Sequence, residues 1–317
     1  MIQFQKQPMM RKVLISLVPL FLHSLWLYGL RALAVTMITF VTGILVEYLF
    51  ERGKNGKNAK VTEAVLVTCA LYALSMPPAA PLWIVAIGIV FAVFMAKEVF
   101  GGFGRNVFNP AISGRLFVYI SFAAILGKSF VPHGNFGMNA GSFWGGTLFG
   151  KPDVITGATP LAVLRTGGEA DILSLLTGFH EGSIGESSIL LIAIAAVYLV
   201  ATKTANWRII LSTSLGAVAM AAILLFSGVP GALPLESLLS GSLAFVIVFM
   251  ATDPVSAPKK APSLYIYGAL IGILTVLMRQ YSAFPEATSF AVLLGNTAAS
   301  LIDRQVIRLT PKKEATK

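Results

Sequence analysis

Charge is what this chain has least of. Of its 317 residues only 12% are charged, against roughly 25% in soluble domains. With 56% hydrophobic residues and a mean hydropathy of +0.79, a water-soluble globule is excluded and a bilayer is the fitting solvent. Cysteine is nearly absent. The single thiol, Cys69, lies in an apolar run and cannot alone hold an iron–sulfur cluster, which takes about four protein ligands. Any such centre therefore belongs to a partner, and Cys69 is expected as a small core residue. A cleavable leader is not in evidence either, because the apolar stretch from Val13 to Leu30 runs into another without a small-residue cleavage site, so it reads as a retained helix. Net charge is +10, yet the basic residues are scattered between apolar spans without an interleaved aromatic patch, which argues against nucleic acid.

What the chain does have is apolar runs of membrane length. A hydrocarbon core of about 30 Å takes about 20 residues of helix, and some ten stretches qualify: 13–30, 33–50, 62–76, 82–100, 111–127, 188–203, 207–228, 236–252, 264–280 and 288–302. Lys and Arg test the count, since cytoplasmic connections hold their excess. Both termini and the connections near 51–60, 97–105, 203–208 and 259–260 hold 18 of the 24. The opposite side holds 5, namely Arg31, Lys128, Lys151, Arg165 and Arg279, and Arg115 sits inside a span. Both termini are thus expected in the cytoplasm and the long 128–187 segment outside.

That segment, rich in Gly, Ser, Thr and Asn, carries Asp153, Glu169, Asp171, Glu181 and Glu186. Loops of this length usually carry function. It also separates two similar stretches of membrane sequence, 1–127 and 188–317. In the first, Thr62-Glu63-Ala64-Val65-Leu66 opens a span that ends at Met76-Pro77-Pro78. In the second, Leu235-Glu236-Ser237-Leu238-Leu239 opens one that ends at Thr252-Asp253-Pro254. Each is followed by one helix and an Asn-containing segment, at Asn109-Pro110-Ala111 and Asn296-Thr297-Ala298. With five spans per half, the second enters from the opposite side. The expected fold is therefore an all-α polytopic membrane protein of about ten transmembrane helices in two inverted five-helix repeats, with interrupted helices and polar sites near the midplane.

Three constellations carry chemistry. The first is Asp153-Val154-Ile155-Thr156-Gly157-Ala158-Thr159-Pro160-Leu161. The Thr159 hydroxyl can form a phosphoester, Gly157 and Ala158 leave room for a modifying enzyme, and Pro160 stiffens the exit; a glycine-rich turn or helix cap is the bland alternative. The second is Gly101-Gly102-Phe103-Gly104-Arg105-Asn106-Val107-Phe108-Asn109-Pro110-Ala111. It lacks the third glycine and the strand-to-helix context of a nucleotide fingerprint. Asn106 and Asn109 either turn inward toward a polar ring edge or cap the helix that Pro110 opens. The third is acidic: Glu63, Glu236 and Asp253 lie in or at the ends of spans, and Asp303 near the last span's end. Ionisable groups at membrane depth cost ~2.5–3.5 kcal/mol even on lenient scales, so cation handling is the first reading. Pro254 disfavours helix at Asp253 and would free carbonyl ligands. For Asp303 a surface ion pair with Arg304 is the competing reading. Glu98 beside Lys97 reads as a solvated pair at a helix end, His23 with Trp26 as interfacial packing, and His133 and His180 as ordinary loop residues.

The first motif matches the flavinylation signature, an acidic residue separated by two residues from Ser/Thr-Gly-Ala-Thr, with Thr156 where serine is common. On it, and on the Asn and Asp-Pro segments in the same order, the chain resembles the NqrB/RnfD family. Its members serve the Rnf ferredoxin:NAD oxidoreductase (RnfD) and the related sodium-pumping NADH:quinone reductase (NqrB), and the lack of a long extra tail favours the RnfD branch. The resemblance implies FMN joined through its phosphate to Thr159 by a flavin transferase, with Asp153, Thr156, Gly157 and Ala158 as recognition residues. It also implies a noncovalent riboflavin lined by Asn106 and Asn109. The implied setting is the bacterial inner membrane, in a sodium or proton pump with a second covalent flavoprotein and iron–sulfur subunits as partners. A channel or secondary transporter, sharing the repeats and the acids but having no use for the loop motif, is the rival reading.

Overall fold

In the computed structural model of the protein, residues 3–131, 159–168, 170–282 and 286–309 are described. Along the chain run helices α1 (Pro8–Tyr28), α2 (Leu30–Asn55), α3 (Glu63–Leu74), α4 (Leu82–Val93), α5 (Pro110–Ser121) and α6 (Ala123–Leu126). Then come the short α7 (Pro160–Arg165) and α8 (Ile172–Thr177), and α9 (Ile189–Ala201), α10 (Trp207–Phe226), α11 (Pro234–Leu239), α12 (Leu243–Val246), α13 (Ala261–Tyr281) and α14 (Ala287–Leu309). Four helices, α1, α2, α10 and α13, are long and apolar enough to cross a membrane, and shorter apolar helices such as α3 and α9 accompany them. This is a polytopic, mostly helical membrane protein.

The elements end where local chemistry ends them. Pro8 and Pro110 open α1 and α5 at positions whose N–H has no intrahelical partner. Gly29 and Gly56 close α1 and α2 with φ of 59° and 58°, a backbone region that glycine enters without penalty. Ser188, Asn206 and Asp171 cap α9, α10 and α8 by accepting first-turn amides. Three expectations need correction. The 236–252 span is not one helix: it breaks at Ser240–Ser242 between α11 and α12 and ends in a π turn, Ile247–Ala251. The 111–127 span breaks at Phe122. Nor is the chain purely helical, because β1 (Gln3–Gln5) and β2 (Lys60–Thr62) form a two-stranded parallel ladder that ties the amino terminus to the α2–α3 connection.

Burial is turned inside out relative to a soluble bundle. On α2, Val41, Leu45 and Leu49 stand at four-residue spacing and are 61%, 50% and 58% exposed, which presents an apolar stripe to lipid. The stripe packed inward is Val35, Thr39, Gly43 and Glu47, small or polar residues that let helices approach. Close approach through glycine recurs at two crossings. A methyl placed on Gly114 of α5 would stand 2.6 Å from the Gly88 carbonyl of α4, and one on Gly272 of α13 would stand 2.2 Å from the Thr213 carbonyl of α10. These crossings belong to the most extensive packings of the molecule, α10 on α13, α13 on α14, and α4 on α5.

Two ends are distinguishable along α1. Met10 lies at one end, with Leu199, Ala205 and Pro254. Ser24 lies at the other and donates to the Ile184 carbonyl at 2.5 Å; the helix rises about 21 Å from Met10 to Ser24. The connections richest in Lys and Arg, around 51–60, 203–208 and 259–260, gather at the Met10 end, as ladder and cavity contacts show.

Candidate functional site

Two cavities lie along α5. The larger, about 280 Å³, is at the Ser24 end and is bordered by Thr159, Arg165, His180, Glu181, Glu186 and Arg115 among others. Thr159 is the N-cap of α7, and its hydroxyl oxygen accepts from the Ala162 amide at 3.3 Å. A phosphoester oxygen at that position keeps its acceptor role, so the hydroxyl and the open space beside it fit an esterified flavin phosphate. Asp153, Thr156, Gly157, Ala158 and His133 lie outside the described residues. His180 sets its two ring nitrogens 3.0 Å from the Glu181 and Ser187 carbonyls. Burial lifts the Glu181 carboxyl above its ordinary range, against the pull of His180, and burial lowers Arg165 from the usual arginine range. Arg165 is anchored across the end of α13 by donating to the Arg279 and Ser282 carbonyls at 2.9 and 3.2 Å.

The floor of this cavity is a buried ion cluster that sequence reasoning missed. Arg115, 1% exposed, grips Glu186 through both terminal nitrogens and meets Glu286 through Nη2 at 2.9 Å and Nε at 2.8 Å. Ser289 donates to Glu286 at 2.8 Å, and the guanidinium lies over the Tyr119 ring. Two carboxylates share one guanidinium whose planar fork serves them both. Arg115 within an apolar span is the signal that could have pointed here.

The smaller cavity, about 70 Å³, joins Asn106, Asn109, Asp253, Lys97 and the Met9–Met10 turn at the other end. Asn109 caps α5: its Oδ1 accepts from Ala111 and Ile112, and its Nδ2 reaches the Met250 carbonyl at 3.4 Å. Asn106 donates to the Phe108 carbonyl at 3.0 Å. Ligand pockets run roughly 300–1,000 Å³, so the cavity as folded does not fit a three-ring flavin, and the amides are engaged with backbone. Asp253 also closes a turn, accepting from the Val255 amide and the Ser256 hydroxyl, both at 3.0 Å. The structure thus brings Asn106, Asn109 and Asp253 together.

It separates the other acids. Glu63 opens α3 at the Met10 end, held by Arg11 at 2.5–3.0 Å and by the Gln7 amide at 2.6 Å. Glu236 opens α11 at the opposite end and accepts from the Ala170 amide at 3.1 Å. Asp303 accepts the Lys259 and Lys260 amides at 2.8 and 3.1 Å and so holds the start of α13. The solvated Lys97–Glu98 pair is a correction: both residues are 2% exposed. The α4 helix widens into a π turn at Phe94–Glu98, closed by the Val99 amide on the Phe94 carbonyl, which turns both side chains inward toward Glu47. Among the described residues, no group of three or more His, Cys, Asp and Glu is arranged to hold a metal ion. Cys69 is a buried free thiol, as expected.

Against known proteins, the model of the NQR2, RnfD, RnfE family matches residues 3–311. A Na(+)-translocating NADH-quinone reductase subunit from Pseudomonas aeruginosa is 36% identical over 296 residues, covering 89% of this chain and 68% of that protein. The protein of the same name from Ectopseudomonas mendocina is 36% identical over 309 residues, 92% and 72% of the two chains. That from Azotobacter vinelandii is 35% identical over 294 residues, 89% and 68% of the two chains. A match across nearly the whole chain, to relatives at this identity, settles the family: this multi-pass membrane protein belongs to the NQR2, RnfD, RnfE family.

Proposed function

We propose that the chain is the membrane flavoprotein subunit of a redox-driven cation pump of the ferredoxin:NAD oxidoreductase type, with FMN esterified to Thr159. The observation that carries this reading is the Asp153-to-Pro160 motif ending on a hydroxyl that borders a 280 Å³ cavity. FMN, when bound, supplies reversible electron transfer. The chain's own residues do the rest: Thr159 tethers the phosphate at the first turn of α7, Arg165 sets a positive group in the cavity wall beside the His180 ring, and the Arg115 cluster fixes the charge of the floor. Asn109 caps α5 and Asn106 donates to the Phe108 carbonyl, so neither amide is offered to a riboflavin. Along α5, Asn109 and Arg115 are separated by a rise of about 9 Å, so a charge gained at one cavity is felt at the other through a medium of low dielectric. That supports coupling of reduction to uptake of sodium or a proton, with Asp253, at the smaller cavity, the best placed of the four acids named from sequence.

The same reading holds ten spans in two inverted five-helix repeats. In its support, α2 packs on α4 and α4 on α5 in the first half, while α10 packs on α13 and α13 on α14 in the second. In addition α1 and α9 run in opposite directions between the two ends. Both termini are assigned to the cytoplasm of a bacterial inner membrane by the Lys and Arg asymmetry, and Thr159 to the outside, where a flavin transferase reaches it. Partners are the second covalent flavoprotein and the iron–sulfur subunits of such a complex, within membrane lipid. Thr159→Ala is the test: flavin fluorescence of the denatured polypeptide should vanish on a gel. Retained fluorescence would refute the assignment. Gly141→Cys in a Cys69→Ala background should react with an impermeant maleimide on intact cells; labelling only in broken cells would put the loop inside.

A further inference from the structure

We propose that Glu98 is an exchangeable cation site, taking up and releasing a small monovalent cation, proton or sodium, beside a closed Glu47–Lys97–Thr62 ring. The ring is complete without it. Lys97 Nζ donates to Glu47 at 2.6 Å and to Thr62 Oγ1 at 2.8 Å. Thr62 in turn gives its hydroxyl and amide to the other Glu47 oxygen at 2.7 and 2.8 Å. One ammonium neutralises one carboxylate, and Thr62 bridges the two.

Glu98 is the remainder. It is 2% exposed, and neither carboxylate oxygen has a hydrogen-bond partner. Lys97 Nζ stands 3.6 Å away, beyond hydrogen-bonding reach. The amides of the adjoining loop go elsewhere: Gly101 donates to the Glu98 backbone carbonyl and Gly102 to that of Lys97. The charged groups that act on the carboxylate are Lys97 on its own turn and Glu47 and Glu51 on α2, so the surroundings are net negative. With Lys97 already engaged by Glu47, a second carboxylate buried there is unfavourable unless a further counter-charge joins it. Its cover is thin. A methyl on Gly102 would stand 3.6 Å from Glu98 Oε2, and Gly101, Gly102 and Gly104 hold φ of 106°, 88° and 87° in the loop above it. Lys97 meanwhile borders the cavity that holds Asp253, so a cation at Glu98 is one side chain from that chamber. From sequence, Glu98 reads as half of a solvated pair and not as an ion-pathway acid.

This inference deepens the ion-coupling part of the proposed function and rests on it for its purpose. Its test needs neither flavin nor partner, so it can fail while flavin attachment stands, and the reverse. Infrared spectra of the full chain in lipid nanodiscs, wild type minus Glu98→Gln, are recorded across the neutral pH range in choline and in sodium chloride. The expected result is one carboxylic-acid carbonyl band, present in wild type only, which is lost as pH rises. Loss also on adding sodium at fixed pH identifies sodium as a competing occupant; loss with pH alone identifies the proton. No carboxylic-acid band at any pH, and no carboxylate shift with sodium, overturns the proposal. Should the variant fail to assemble, a hydrophobic carbodiimide on wild type decides. Modification mapped to Glu98 that rises at low pH or is slowed by sodium supports the site, and modification of other buried acids with Glu98 untouched overturns it.

Discussion

Two buried clusters in this molecule have the same formal charge and opposite states of completion. At the Thr159 end, Arg115 meets Glu186 and Glu286, and the guanidinium reaches both carboxylates. At the other end, Lys97 meets Glu47 and Glu98, yet hydrogen-bonds only the first. The difference is the cation. Arg presents five donors in a fixed fork, while Lys is a compact charge with three donors, and Lys97 places one on Thr62. The first cluster therefore reads as a fixed brace under the Thr159 cavity and the second as a brace with one open position.

Breaking the brace should have the largest effect. Arg115→Met leaves two carboxylates buried without their cation, and losing one partner of a buried pair costs about 3–5 kcal/mol. The expected outcome is little or no assembled protein, read from the yield of a monodisperse purified chain. Glu286→Gln keeps the shape and removes the charge-assisted bonds to Arg115 and Ser289. Hydrogen bonds to charged groups contribute about 1.5–3 kcal/mol, so a lowered thermal midpoint in detergent is expected. Asn109→Ala removes the α5 cap and the tie to Met250, with an expected loss of about 1 kcal/mol by the same measurement. Glu98→Gln should change the midpoint less than Glu286→Gln, because the carboxylate makes no hydrogen bond to lose. A drop for Glu98→Gln as large as for Glu286→Gln would erase the distinction between the clusters.

Much of this was legible in the sequence. The apolar runs located the helices, and the Lys and Arg asymmetry grouped the loops that the structure gathers at one end. Pro8, Pro110 and the glycines marked helix ends through their own backbone limits. What escaped shares one cause, long-range or non-helical geometry. Arg115 finds its carboxylates 71 and 171 residues away, a separation that no local pattern encodes. Lys97-Glu98 at a run's end has the local look of a solvated pair, and only the π turn brings both inward. Glu47 sits on the inward stripe with Val35, Thr39 and Gly43, a four-residue period that was readable but masked by the apolar stripe beside it. Glu63 and Glu236, matched by pattern, fall at opposite ends.

The central claim, that Thr159 tethers a flavin beside the Arg115 cluster, is tested most directly by mapping the attachment in protein purified from cells that make the whole complex. Peptide mass spectrometry across Asp153–Arg165 is predicted to show the added mass of FMN less one water, joined through its phosphate and localised to Thr159, with Thr156 unmodified. An unmodified Thr159, with the flavin absent or bonded to another residue, would contradict the account.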